Sequence, residues 1–168
     1  MCIRDSLSAA FLAAVAFEAY LNYLGEEMLP NVWAHERVEF SRPPFRGTQG
    51  KLLRIANEIG WAVPRRDRKP HSGYVELLAL RDKIAHARPV RTTYKVTHRK
   101  DAFPREPFRW LEREAPPTRV RRLIMDVEAL ACLLHKAIGK SEFNNVVFGA
   151  HPFLGLLAIG TRHVETHG

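Results

Sequence analysis

Apolar positions along the chain fall into four stretches at helical spacing, separated by connections rich in Pro, Gly and cations. Leu7 to Glu27 is dense in Ala and Leu and apolar almost all round, the pattern of a helix enclosed by its neighbours, and Pro30 closes it. A connection carrying Pro43, Pro44 and Gly47 follows. Leu52, Leu53, Ile55, Ala56 and Ile59 then predict a second helix ended by Gly60. The stretch WAVPRRDRKPHSG at 61–73 is too irregular for an element and reads as a basic loop. Ser72 offers an N-cap to a third helix, with Tyr74, Leu77, Leu78, Arg81, Ile84 and Ala85 on or near one face. Pro89 ends that helix, because the residue before a proline avoids helical geometry.

From Val90 to Thr97 the period changes to two, with Val90, Thr92, Tyr94 and Val96 opposite Arg91, Thr93, Lys95 and Thr97, which predicts a strand. Phe108 to Arg113 is its expected hairpin partner, crowded by Pro104 and Pro107. Pro117 and Thr118 start a fourth helix, with Val120, Leu123, Ile124, Val127, Leu130, Ala131 and Leu134 at helical spacing and Gly139 as its C-terminal cap. The apolar remainder at 143–160, broken by Gly and Pro, is expected to pack against the bundle as irregular structure or a short helix. The expected architecture is all-α: about four main helices with a small β-hairpin inserted around 90–113, in one domain over 7–168. Residues 1–6, MCIRDS, are expected to be a non-native or disordered leader.

Composition changes this picture little: 168 residues suffice for one domain with a proper core, and 46% hydrophobic with 26% charged residues is ordinary for a soluble globular chain. Cys2 and Cys132 cannot form a disulfide framework, which points to a reducing, cytoplasmic setting. Leu7 to Leu24 is apolar enough to raise a signal peptide or a membrane span, with Ala14-Val15-Ala16 imitating a cleavage site. Against both, Asp5 cancels Arg4, and Glu18 with Asn22 would lie inside the span, where polar groups are costly. A buried helix is the expectation, with no membrane partner.

Charge changes it more. Residues 46–122 hold 20 Lys and Arg against 8 Asp and Glu, a net +12, whereas the segments on either side are net negative. Such a block is the footprint of a polyanion-binding surface, RNA or DNA phosphates first among them, although solubility alone also accounts for positive charge. Inside it lies LLALRDKIAHARP at 77–89. Asp82 and His86, four apart, share a helix face, and Arg81 sits about 100° round on the neighbouring flank, so all three can line one groove. One reading is structural: a surface Arg81, and Asp82 paired with a His86 that favours the helix C-terminus. The other is chemical. Cleaving RNA without a metal needs a base for the ribose 2′-hydroxyl, an acid for the leaving oxygen and a cation over the phosphate. His86 titrates in the range for proton transfer, Arg81 has paired donors for a phosphate, and Asp82 would orient the imidazole. One such His per chain is one too few, and a homodimer supplies the second.

The segment RDKIAH at 81–86 has the form R-[N/D/H]-x-x-x-H, and together with the helix AFEAYLNYLG at 16–25 the chain resembles the HEPN superfamily of all-α proteins. The resemblance covers roughly Leu7 to Gly139 in organisation and is specific at those two stretches. It implies a HEPN-like bundle and a metal-independent endoribonuclease, of a kind often found as toxins or phage-defence effectors. It implies a homodimer whose motif Arg and His face their copies, with Arg81 and His86 the catalytic pair and Asp82 the polar residue after the Arg. No metal and no cofactor is expected. The superfamily also has members without nuclease activity, so the alternative is a non-catalytic module binding RNA, a nucleotide or a protein. A toxin silenced by an antitoxin is a third reading.

Glu18 and Asn22, four apart on the apolar first helix, are either satisfied core polar groups or partners reaching toward the motif helix. Arg65, Arg66, Arg68 and Lys69 in the basic loop, and Arg88 and Arg91 after the motif, are candidate RNA-backbone contacts, as is the cluster Arg119, Arg121 and Arg122; a solvated surface explains each equally well. Tyr94, Phe103, Phe108 and Trp110 would stack bases or pack the hairpin. HVETH at 163–167 lacks the Glu that a zinc protease helix places after the first His, and Cys132 with His135 lacks two further ligands nearby.

Overall fold

The computed structural model describes residues 3–86, 115–147, 149 and 151–152. They form six helices in chain order: α1 Ile3–Met28, α2 Pro30–Trp33, α3 Glu36–Glu39, α4 Gly47–Glu58, α5 His71–Ala85 and α6 Pro117–Ile138. Among the described residues there is no strand, and that part of the chain is all-α. The hairpin expected at 90–113, with Tyr94, Phe103, Phe108 and Trp110, lies outside the described residues, as does the HVETH segment.

α1 is the central helix, packing against α4, α5 and α6. Ala10, Ala14, Phe17, Leu21, Leu24 and Met28, spaced alternately by four and three residues, form a stripe buried to 6% exposure or less. The opposite side departs from the enclosed helix read in the sequence: Phe11, Leu12 and Val15 are exposed. α4, α5 and α6 all meet α1 on its other faces, so being apolar all round does not make this helix buried all round. α1 from Asp5 to Met28 is long and apolar enough to cross a membrane by length and composition. In the fold, its Phe17, Leu21 and Leu24 are sealed against the other helices. The helix also begins within the stretch expected to be a leader, and Ser6 is fully buried.

The connection after Pro30 is more ordered than the sequence suggested. The short α2 and α3 bring Trp33 and Phe40 edge to face, ring centroids 4.8 Å apart, and both are buried. Trp33 lies where a Cβ on Gly25 would be, so only glycine at 25 lets the α2 turn close onto α1. Gly60, at φ 63°, takes the left-handed position just after α4. α5 starts at His71, one residue before the expected N-cap Ser72, and no side chain caps it. Its end also differs: the last helical residue is Ala85, and His86 is the C-cap at φ −114° and ψ 30°. α6 buries Val120, Leu123, Val127, Leu130, Leu134 and Ile138, and Gly139 caps it with a right-handed φ of −61°. Gly73 permits the close approach of α5 to α6, because a Cβ there would overlap the Asp126 side chain. Past α6, Val146 is buried in the core and its carbonyl accepts a hydrogen bond from the Tyr23 hydroxyl at 3.0 Å.

Candidate functional site

Helices α1, α4 and α5 meet around one polar network. Lys51, on α4, falls between Thr48 and Ile55 on the same buried stripe as Leu52, and its side chain is 5% exposed. An ammonium this deep needs partners for its three donors. It has them: Nζ donates to Asn22 Oδ1 at 2.8 Å, and lies 2.5 Å from Glu36 and 3.4 Å from Glu18. Glu18 divides its carboxylate, giving Oε1 to Lys51 and Oε2 to Nη2 of Arg81 on α5, also at 3.4 Å. Arg81 Nε in turn lies 3.4 Å from Asp82 Oδ1. The chain of charges therefore runs Glu36–Lys51–Glu18–Arg81–Asp82 and links four helices.

Arg81 and Asp82 sit seven or eight residues after Tyr74, whose ring packs edge to face on Phe17 at 4.9 Å and whose hydroxyl is buried with no hydrogen-bond partner among the described residues. Burial pushes the Tyr74 hydroxyl pKa well above its ordinary 10.0, and the Glu18 carboxylate adds to the rise while Arg81 opposes it.

The network forms the floor of a groove of about 800 Å³, walled by Phe40, Leu78 and Ala79 and rimmed by Arg37, Arg46 and Arg66. Of the residues picked out in the sequence, Glu18, Arg66, Arg81 and Asp82 line this groove. Asn22 reaches the network through Lys51. His86 does not line the groove; it is exposed at the end of α5.

The expected pairing of Asp82 with His86 is not made. Among the described residues, only their backbones meet, His86 N–H donating to the Asp82 carbonyl at 2.9 Å. His86 stands past the last helical residue, where side chains four apart no longer stack, and the permanent charge of Arg81 captures the Asp82 carboxylate instead. Arg81 is correspondingly not a loose surface cation, since its side chain is 26% exposed and doubly paired.

The cations of the basic loop differ in their partners. Arg65 is folded onto Asp67, with contacts of 3.1 and 2.9 Å; Lys69 lies 3.8 Å from Asp126; Arg68 is exposed. Arg119 and Arg122 converge on Glu76, at 2.7 and 3.3 Å, while Arg121 is exposed. Arg88 and Arg91 lie outside the described residues.

Lys51, Glu36, Arg37 and Arg46 were missed in the sequence. For Lys51 a signal existed: a cation on the apolar stripe of one helix, and a carboxylate with an amide on the apolar face of another, each demands a partner that the other supplies. Among the described residues no group of three or more His, Cys, Asp or Glu is placed to hold a metal ion. His135 spends both ring nitrogens elsewhere, Nδ1 accepting from the Tyr20 hydroxyl at 3.0 Å and Nε2 donating to the Gly149 carbonyl at 3.1 Å. Burial raises the pKa of the neighbouring Cys132 thiol, which disfavours the thiolate that nucleophilic or metal chemistry would need.

Compared with family models, curated proteins and solved structures, the chain has no match.

Proposed function

We propose that the chain is a HEPN-like, metal-independent endoribonuclease of the cytoplasm that works as a homodimer, in the manner of toxin or phage-defence effectors. The observation that carries this reading is the end of α5: Arg81 is held in place by Glu18 and Asp82 in a cation-rimmed groove, and His86 follows it, exposed and with no side-chain hydrogen bond or ion pair among the described residues. A fixed guanidinium offers paired donors to a phosphate and to the charge that grows on it in the transition state. His86 is a proton carrier with open access. In the reaction, the ribose 2′-oxygen attacks phosphorus, the bond to the 5′-oxygen breaks, and a 2′,3′-cyclic phosphate and a 5′-hydroxyl form. One imidazole takes the 2′-hydroxyl proton and the other, from a second copy, protonates the leaving oxygen.

The double pairing of Arg81 favours a second reading, a non-catalytic module in which that residue ties α1 to α5 and the groove only binds. Labelled single-stranded RNA incubated with the protein in EDTA separates the two. Cleavage to cyclic-phosphate ends, reduced at least ~100-fold in both Arg81→Ala and His86→Ala proteins of unchanged helicity, is the expected result, the size of loss typical for a proton-transfer group. Intact RNA with the unaltered protein refutes the nuclease and leaves the binding module.

A further inference from the structure

The groove on the α1–α4–α5 side has chemistry that the motif does not account for. Its lining contains five cations, Arg37, Arg46, Lys51, Arg66 and Arg81, and three carboxylates, Glu18, Glu36 and Asp82. The carboxylates are all engaged: Glu18 by Lys51 and Arg81, Glu36 by Lys51, and Asp82 by Arg81. The rim is different. Arg37, Arg46 and Arg66 are exposed, and their side chains make no ion pair or hydrogen bond among the described residues. Neutralised acids on the floor and three unspent guanidiniums at the mouth leave an excess positive charge that faces outward.

We infer that this groove is a binding track for the backbone of single-stranded RNA, with Arg37, Arg46 and Arg66 each taking a phosphate and the apolar wall of Phe40, Leu78 and Ala79 lying against the sugars and bases. Guanidiniums match phosphate oxygens with paired donors. A volume of about 800 Å³ falls among clefts that hold small ligands, room for a few nucleotides of a strand. The track leads to Arg81, which lines the same groove, and so feeds a strand toward the end of α5. The inference rests on the ribonuclease reading for its choice of RNA but not on cleavage, because the contacts are with the backbone.

The test uses the full chain carrying His86→Ala, a 5′-labelled 12-nucleotide oligo(U) and EDTA, with binding read by fluorescence anisotropy across a salt series. Arg37→Gln, Arg46→Gln and Arg66→Gln should each weaken binding several-fold, and the triple variant should lower the slope of log K against log salt by about 2, since each single-strand phosphate contact contributes about 0.7. Lys136→Gln and Lys140→Gln, each of which removes one positive charge at or just past the exposed end of α6, should each leave affinity within about twofold. Equal losses from both sets, or none from the groove set, overturn the track, as does failure to bind oligo(U) while an acidic peptide such as oligo-glutamate binds. Groove-dependent binding beside a wild-type protein that never cleaves RNA upholds the track and discards only the nuclease.

Discussion

Replacing Lys51 with Met keeps a long unbranched stem in the core and deletes the ammonium. Three acceptors lose their donor at once: Asn22 at 2.8 Å, Glu36 at 2.5 Å and Glu18 at 3.4 Å. Breaking a buried ion pair from one side costs about 3–5 kcal/mol where the stranded charge cannot reach water. Here the stranded groups partly can, because the Glu18 and Glu36 side chains are 31% and 44% exposed. Glu36 therefore behaves nearly as a surface partner, contributing about 0–1 kcal/mol. The short bond to Asn22 contributes about 1.5–3 kcal/mol, the range for hydrogen bonds to a charged group. Relief of the ammonium's own desolvation offsets part of this, and the net expectation for Lys51→Met is a loss of about 2 kcal/mol. Urea unfolding followed by far-UV circular dichroism reads that as a midpoint lowered by about 1 M, for a slope of roughly 2 kcal/mol/M. Adding Asn22→Leu should recover part of the loss, because removing both members of a buried polar pair is cheaper than removing one. A Lys51→Met midpoint within ~0.2 M of wild type, or above it, refutes the claim that the network stabilises the junction of α1 and α4.

The remaining predictions concern the two buried tyrosines. Tyr74→Phe should raise stability by about 1 kcal/mol, visible as a higher melting temperature, because it deletes a buried hydroxyl that has no hydrogen-bond partner among the described residues; a drop of 1 kcal/mol or more would show that the hydroxyl is engaged. Burial raises the pKa values of both Tyr20 and Tyr74 well above 10.0, so the folded state keeps the protons that the unfolded chain releases above that pH. Their stabilising contribution is therefore full below pH 10 and is lost as pH climbs beyond it, by about 1.4 kcal/mol per pH unit per tyrosine. Chemical denaturation between pH 9 and 11 should show this decline, shallower in Tyr74→Phe; an equal slope in both proteins would count against it.

The helical stripes were readable because burial leaves a periodic trace: α6 spans Pro117–Ile138, carrying the stripe from Val120 to Leu134 between the Pro117 start and the Gly139 cap. The small helices α2 and α3 were not, since four residues are too few to show a period and their reason for existing, Trp33 against Phe40, is a tertiary contact. Arg81 could be singled out from its spacing to His86, yet its real partner lies 63 residues away on α1, beyond the reach of any local pattern. Likewise the basic block could be counted but not sorted. Only the folded arrangement separates Arg65, Arg119 and Arg122, each closed on an acid, from Arg37, Arg46 and Arg66, which are exposed and make no ion pair among the described residues.

Glu18 has a consequence for how any anion is received. Because its carboxylate already accepts from Nη2 of Arg81, an anion that approaches that edge of the guanidinium exchanges one counter-ion for another. A small monovalent anion gains nothing by that exchange, since it replaces a tethered carboxylate with an untethered one of equal charge. A polyanion anchored elsewhere competes on better terms, because its local concentration at Arg81 is set by the anchor. In the proposed role, the same carboxylate that positions the arginine would thus favour ligands long enough to be held at two points over the simple salts around it.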